Sequence, residues 1–379
     1  MHYIKRTDKE NNTLIQISVL NETDSIKEYN VILQVTNPEL TYEDQVSALF
    51  RVYNDLCKEE LKGALPVFKR YFLSDISNQI DILKKKMPEP HRECAVSIIE
   101  QPPLNGTKIA LWIYMQSDIE TARWHNGLFE VKHTGRPFYH LWGGNVFNNA
   151  TTAEYQTRIL FNEYIMQLAN NDCTLANNCI RTWLFVQNVD VNYAGVVKAR
   201  NEVFLTQDLT AKTHFIASTG IAGRNADPNV FVQMDTCAVR GITNEQIQYL
   251  YAPTHLNPTH EYGVSFERGT CVKYEDRRHV FISGTASIDN KGQVVWNGDI
   301  RRQTGRMWEN VEELLKEADC SFSDVAQMIV YLRDVADYKI IKELFDKRFP
   351  EIPKVLVLAP VCRPGWLIEM ECIALKVEK

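Results

Sequence analysis

From Gln156 the chain places Leu160, Phe161, Tyr164 and Leu168 three or four residues apart, and from Gln303 the same rhythm returns as Met307, Trp308, Val311 and Leu315. Such spacing lays one apolar stripe along a helix. Each stripe is followed at the same offset by a cysteine (Cys173, Cys320) and then by a run of β-formers, Thr182-Trp-Leu-Phe-Val and Ile329-Val-Tyr-Leu, which predicts a strand. A second helical pattern comes next, with Val196, Val197 and Phe204 in one stretch and Ile340, Ile341, Phe345 and Phe349 in the other. The closing apolar runs, Val230-Phe-Val-Gln-Met and Leu367-Ile-Glu-Met-Glu-Cys-Ile-Ala-Leu, predict a final strand in each.

The first third carries the same parts in the same order. Gln45 opens a helix through Val46, Leu49, Val52 and Tyr53, and a strand over 67–75 and a helix through Ile80 and Leu83 follow. Two strands then flank Pro102-Pro103. Opening glutamine to strand end spans 30 residues in the first stretch (45 to 75) and 31 in the others (156 to 187, 303 to 334). The pattern predicts three tandem units of about 120 residues each, with boundaries at 1–120, 121–245 and 246–379.

Composition narrows the class. At 379 residues and 45% hydrophobic side chains the chain can bury two or three cores. The polar start and the lack of a long apolar run predict a cytoplasmic protein without a membrane partner. A net charge of −6 with no basic stripe argues against a nucleic-acid surface. Lys84-Lys85-Lys86 reads as a solvated helix end. The nine cysteines contain no CxxC pair and no zinc spacing, so reduced thiols are expected and neither metal nor cofactor is implied.

The last unit resembles the RidA/YjgF family, also known as endoribonuclease L-PSP-like. The residues that carry this are Ile282-Ser-Gly-Thr285, Gly298-Asp299, Gln303-Thr304, Asn310, Asp334, Phe349-Pro350, Pro353 and Ile368-Glu-Met-Glu-Cys-Ile-Ala374. The resemblance implies an α+β, chorismate-mutase-like fold. Each unit is then a mixed sheet backed by two helices, and ligand clefts lie between neighbours. Three fused copies then imply an intrachain pseudo-trimer, a monomer by chain count. The family's imine deaminases place an arginine two residues after the proline of Pro-x-Arg, where Val355 stands here. Imine deamination would need another cation, Lys354 or Arg363.

Roughly the last 200 residues are also similar to chorismatases. Ser283-Gly-Thr-Ala-Ser287, Gly298-Asp299 and Cys362-Arg-Pro-Gly-Trp-Leu-Ile-Glu369-Met-Glu371 follow that family's motif order. Arg181-Thr-Trp183, Arg200-Asn201 and Ser218-Thr-Gly-Ile221 look like its middle segments. Trp183-Leu184-Phe185 and the short Tyr262-Gly-Val-Ser-Phe-Glu-Arg268 segment depart from it. The similarity implies a lyase or hydrolase that cleaves an enolpyruvyl ether of a small carboxylate. The Cys362 to Glu369 spacing is that of members forming a hydroxybenzoate.

Such chemistry needs cations for two carboxylates and an acid to protonate the vinyl carbon. Arg181, Arg200, Arg268 and Arg363 suit the first task through their bidentate forks. Glu369 and Glu371 lie two apart in a predicted strand and so share a face, where each raises the other's pKa. The expected site is therefore Glu369 as general acid with Cys362 beside it, and Arg363, Arg181, Arg200, Arg268, Ser283, Gly284, Thr285 and Glu371 as ligand contacts. On the residues alone the glutamates also fit a solvated strand edge, Arg181 and Arg200 surface charges, and Cys362 a buried inert thiol. A metabolite-binding or regulatory protein without turnover is the rival class. His255, His260 and Glu261 sit in a proline-containing loop rather than on one helix face, which speaks against a metal site. Gly143-Gly144 pairs with Gly284-Thr285 by order of parts.

Overall fold

The computed structural model describes residues 1–20, 26–87 and 93–378. Each third of the chain folds into one six-stranded sheet. The first holds β1 (His2–Asp8), β2 (Thr13–Leu20), β3 (Glu28–Val35), α1 (Tyr42–Lys58), β4 (Leu65–Leu73), α2 (Ile76–Lys86), β5 (Ala95–Glu100) and β6 (Ile109–Gln116). The second holds β7 (Ile119–His125), β8 (Leu128–His133), β9 (Tyr139–Phe147), α3 (Ala153–Ala169), the one-turn α4 (Leu175–Asn178), β10 (Cys179–Val186), α5 (Val189–Thr206), β11 (Ala217–Ala222) and β12 (Val232–Arg240). The third holds β13 (Ile247–Leu250), β14 (Gly269–Lys273), β15 (Arg277–Ala286), α6 (Ile300–Glu317), β16 (Val325–Leu332), α7 (Tyr338–Arg348), β17 (Lys354–Leu358) and β18 (Ile368–Val377).

The strand orders are β1-β2-β3-β6-β4-β5, β7-β8-β9-β12-β10-β11 and β13-β14-β15-β18-β16-β17, one topology three times over. The edge pairs β4/β5, β10/β11 and β16/β17 are parallel and joined across a helix; the other pairings are antiparallel. Helices cover one face of each sheet and the other units cover the opposite face. Central strands such as β6, β10 and β16 are therefore buried at every position, and read as continuous apolar runs rather than alternating ones.

The repeated glutamine has a physical cause. Four residues before it stands an N-cap whose side chain accepts a backbone N–H: Thr41 from Asp44, Thr152 from Tyr155, Asp299 from Arg302. The glutamine itself, buried in every unit, ties the helix start to the entry of the last strand. The Lys108 N–H donates to Gln45 Oε1 at 2.8 Å, Phe231 N–H to Gln156 at 2.7 Å and Leu367 N–H to Gln303 at 2.9 Å.

Register aligns the units residue by residue. In the sheet pairings Arg70, Trp183 and Ile329 stand opposite Trp112, Asp235 and Glu371, so each trio occupies one position of the repeat. These positions meet where the three sheets pack together. Arg70 Nη2 donates to Asp235 at 2.9 Å and its Nη1 lies 3.7 Å from Glu371, all three side chains fully buried or nearly so. The guanidinium lies about 5 Å over the Phe68, Trp112, Trp183 and Phe185 rings. A second buried charge cluster joins Glu28 to Arg277 and, at 2.8 Å, to His279. Burial would push the Glu28 carboxyl up, but His279 and Arg277 hold it well below the usual carboxylate range.

Where β15 meets β18 and β9 meets β12 the register slips at one equivalent place, between Ile282 and Thr285 and between Gly143 and Val146. β15 and β9 carry the same bulge, and alignment through it matches Gly144 with Ser283 and Asn145 with Gly284, two residues away from the pairing expected on order of parts.

Candidate functional site between the second and third units

A cavity of about 330 Å³ opens where α5 and β11 of the second unit face β15 and the loop entering β18 of the third. Glu369 lies on its wall, 4% exposed. Strand alternation puts Glu371 on the same face, but deeper: its Oε2 accepts from Arg181 at 2.9 Å and Thr219 at 2.5 Å, its Oε1 from Trp183 Nε1 at 2.8 Å. Glu369 makes no hydrogen bond to a described residue. Burial first, and then the Glu371 charge, raise its carboxyl to about 8 against the pull of Arg181 and Arg268. It therefore stands as a neutral acid at pH 7, the state a general acid requires.

Gly284 makes this position possible. A Cβ there would land on the Glu369 carboxylate and 3.0 Å from Thr219 Cγ2. The bare backbone N–H of Gly284 instead donates to Thr219 Oγ1 at 2.9 Å, locking β15 to β11.

Three arginines reach the cavity from three elements. Arg200, on α5, is 1% exposed, and its Nε and Nη2 have no hydrogen-bond partner. Arg268 precedes β14; its Nη2 donates to Asn257 while its Nε is unpartnered. Arg363, in the loop before β18, lies over the Tyr262 and Trp366 rings at 4.4 and 4.8 Å. None of the three pairs with a described carboxylate. Cys362 sits beside them with its thiol pushed up to about 12 by burial and the neighbouring Glu369, so it is a neutral thiol, not a thiolate.

Glu369, Cys362, Arg363, Arg200, Arg268 and Gly284 thus come together as cavity wall. Four expected ligand contacts do not. Arg181 and Glu371 pair with each other behind the wall. Ser283 Oγ donates to Glu267 O and accepts from Ser218 N–H, and Thr285 Oγ1 donates to Ser283 O. All four are buried with their polar atoms turned to protein. Arg181, Glu371 and Ser283 hold the two units together, an interaction invisible until β11 is known to abut β15, and Thr285 bonds within its own strand. Tyr193 and Tyr262 were missed as wall residues. Tyr193, Val197 and Arg200 sit at i, i+4 and i+7 on α5, so the stripe containing Arg200 was the available signal.

The equivalent clefts differ. Register places Gln233 and Ala110 where the third unit has Glu369. Between the first and second units Gln233 Nε2 donates to Ile98 O at 3.2 Å, and a Cβ on Gly144 would come 2.6 Å from Val96 O, so the strands abut. Between the third and first units lies a cleft lined by Lys5, Lys342 and Lys354. Val355 is fully buried, and Lys354 donates to Phe349 O at 2.7 Å. Arg363 belongs to the other cleft and does not stand in for an arginine at Val355. His255, His260 and Glu261 form no metal-holding group among the described residues.

Fold and site together define an α+β protein of three tandem units with a cationic, acid-bearing cleft between two of them. Residues 270–376 match the family model Endoribonuclease L-PSP. A RutC family protein of Pyrococcus abyssi is 37% identical over 99 residues, 26% of this chain and 78% of that protein. The 3-aminoacrylate deaminase RutC of Acinetobacter baylyi is 33% identical over 97 residues, 25% of this chain and 77% of that protein. The chain belongs to the RidA superfamily, in which these RutC proteins are its relatives. A solved chorismatase superposes with a TM-score of 0.64 at 15% identity, covering 82% of this chain and 93% of that one, a likeness of fold. No described helix is long and apolar enough to cross a membrane.

Proposed function

We propose that the chain cleaves an enolpyruvyl ether of a small cyclic dicarboxylate, with chorismate the leading candidate, and releases pyruvate. One observation carries this reading: a buried carboxyl held neutral at pH 7 shares a cavity with three arginines that no described carboxylate neutralises. A dicarboxylate supplies two anions to these three cations, and charge-assisted pairs in a buried site are the strong ones. Glu369 then delivers its proton to the terminal vinyl carbon. The resulting oxocarbenium ion is captured by water, which gives up a proton, and the hemiketal collapses to pyruvate and the ring alcohol; alternatively the bond between the ring and the ether oxygen breaks as a ring proton is lost, which releases pyruvate and leaves a hydroxybenzoate. Cys362, a neutral thiol, shapes the ring's surroundings and does not attack. The three units act as a trimer made covalent, in a soluble monomer of the cytoplasm.

Pyruvate release from chorismate, followed by identification of the ring product, tests this. Glu369→Gln is expected to lower the rate by about 10² to 10⁴, the usual contribution of a positioned acid. No pyruvate from the wild type removes the enzyme reading. Chorismate-dependent thermal stabilisation without turnover would leave a metabolite-binding protein in its place.

A further inference from the structure

A second cavity, about 440 Å³, adjoins the first between the α5–β11 loop and the segment joining β13 to β14. The proposed reaction makes no use of it. Its floor holds Glu267, 6% exposed. One carboxyl oxygen accepts the Phe215 N–H at 2.7 Å. The other makes no hydrogen bond to a described residue, and no described Lys, Arg or His nitrogen comes within 4.0 Å of the group. Such a carboxyl is under-satisfied for its depth.

The surroundings say what would satisfy it. Phe215, Tyr251, Leu256 and Pro258 give the cavity an apolar and aromatic lining. Arg268 also reaches this wall, but its Nη2 is committed to Asn257 O and Oδ1 at 3.0 and 3.2 Å. Its guanidinium lies over Tyr262 and Phe266, which face the first cavity. Of the other polar groups on the wall, both His214 nitrogens are engaged, by Phe215 O and Tyr249 Oη, whereas His260 and Arg268 Nε have no described partner; Glu267 is the buried carboxylate among them. A carboxylate at the bottom of an apolar, aromatic cup is complementary to an organic cation whose head pairs with the oxygen and whose body covers the rings.

We propose that this cavity is a second ligand site, one that takes a small primary amine with an aromatic or aliphatic body, its ammonium paired with Glu267. Burial raises the Glu267 carboxyl to about 7, so at neutral pH an incoming ammonium meets an acid that is already close to ionising. Because the site shares only Arg268 with the first cavity, the two can be separated by mutation.

Calorimetric titration of the full chain with 2-phenylethylamine, 2-phenylethanol and phenylacetate tests the assignment. The amine is expected to bind with one site per chain, the alcohol and the acid at least about tenfold more weakly, since a charge-assisted pair is worth that much or more. Glu267→Gln, which keeps an acceptor for the Phe215 N–H, should weaken the amine at least about tenfold, and Glu369→Gln should leave it unchanged. No binding of the amine, equal or tighter binding of phenylacetate through Arg268, or sensitivity to Glu369→Gln instead of Glu267→Gln would each overturn the proposal. Should Glu267→Gln fail to fold, Tyr251→Ala at the exposed rim is expected to weaken the amine severalfold, and unaltered affinity in that variant is equally fatal.

Discussion

Replacing Glu369 by glutamine should stabilise the protein, and by an amount that depends on pH. The folded carboxyl titrates near 8, the unfolded one at the ordinary 4.5. Below 4.5 both states hold the proton and the group is neutral in its effect. Between 4.5 and 8 the unfolded chain has released its proton while the folded chain retains it, so unfolding frees a proton and stability falls as pH rises. Above 8 both are ionised and the loss is complete. At about 1.4 kcal/mol per pH unit the loss is about 3 kcal/mol at pH 7 and about 5 kcal/mol above pH 8. Glutamine fills the same space and cannot ionise, so it removes the whole pH-dependent loss. Urea unfolding of wild type and Glu369→Gln at intervals from pH 5 to 9 measures the difference directly. Glu267 and every other shifted group titrate in both proteins and cancel from it. The difference should widen by about 1.4 kcal/mol per unit up to pH 8 and then level off. A difference that stays flat across this range would mean Glu369 ionises at its ordinary pH, and the neutral-acid reasoning would fail with it.

Two further substitutions test the frame around the site. Gln303→Leu removes hydrogen bonds to Trp296 O, Gly365 O and Leu367 N–H, and should destabilise by about 2 to 4 kcal/mol in urea unfolding; a change under about 0.5 kcal/mol would show that the strap is not needed. Glu28→Gln removes the carboxylate that His279 and Arg277 share, leaves Arg277 with Asp276 alone, and should cost about 1 to 3 kcal/mol at pH 7, read the same way, whereas an unchanged midpoint would mean the cluster is solvated.

The helix stripes and the closing strands were legible because they rest on local rules: a stripe of period 3.6, an N-cap four residues before a glutamine, an apolar run. The leading strands were not. β1 and β7 are outer strands whose side chains are mostly exposed or half-buried, so His2–Asp8 and Ile119–His125 carry too little apolar alternation to declare themselves. The site was legible in part. Glu369, Arg363 and Cys362 lie within eight residues on one loop and strand, and their proximity follows from the chain itself. The separate fates of Glu369 and Glu371 did not follow, since they depend on Arg70 and Arg181, which belong to other units. A period of two says that both glutamates face the same way; only the packing of three sheets says that one meets cations and the other an open cavity.

That division of labour shows what three tandem units permit that identical ones do not. Glu371, Asp235 and Trp112 occupy one position of the repeat, and were all three acidic, three buried carboxylates would converge without enough cations. With tryptophan in one unit, Arg70 between Asp235 and Glu371, and Arg181 also on Glu371, two carboxylates meet two arginines, supplied by residues that differ between units. The same freedom operates two residues away. Glutamate, glutamine and alanine stand at 369, 233 and 110, so at this position of the repeat one unit alone carries an ionisable acid, and the glutamine of the second has become a tie between strands. A buried acid with no cation paired to it costs stability. At this position of the repeat that cost falls on one unit, while the other two interfaces are free to close or to change their lining, as the abutting strands at Gly144 and the lysines and Asp346 around Lys354 each do.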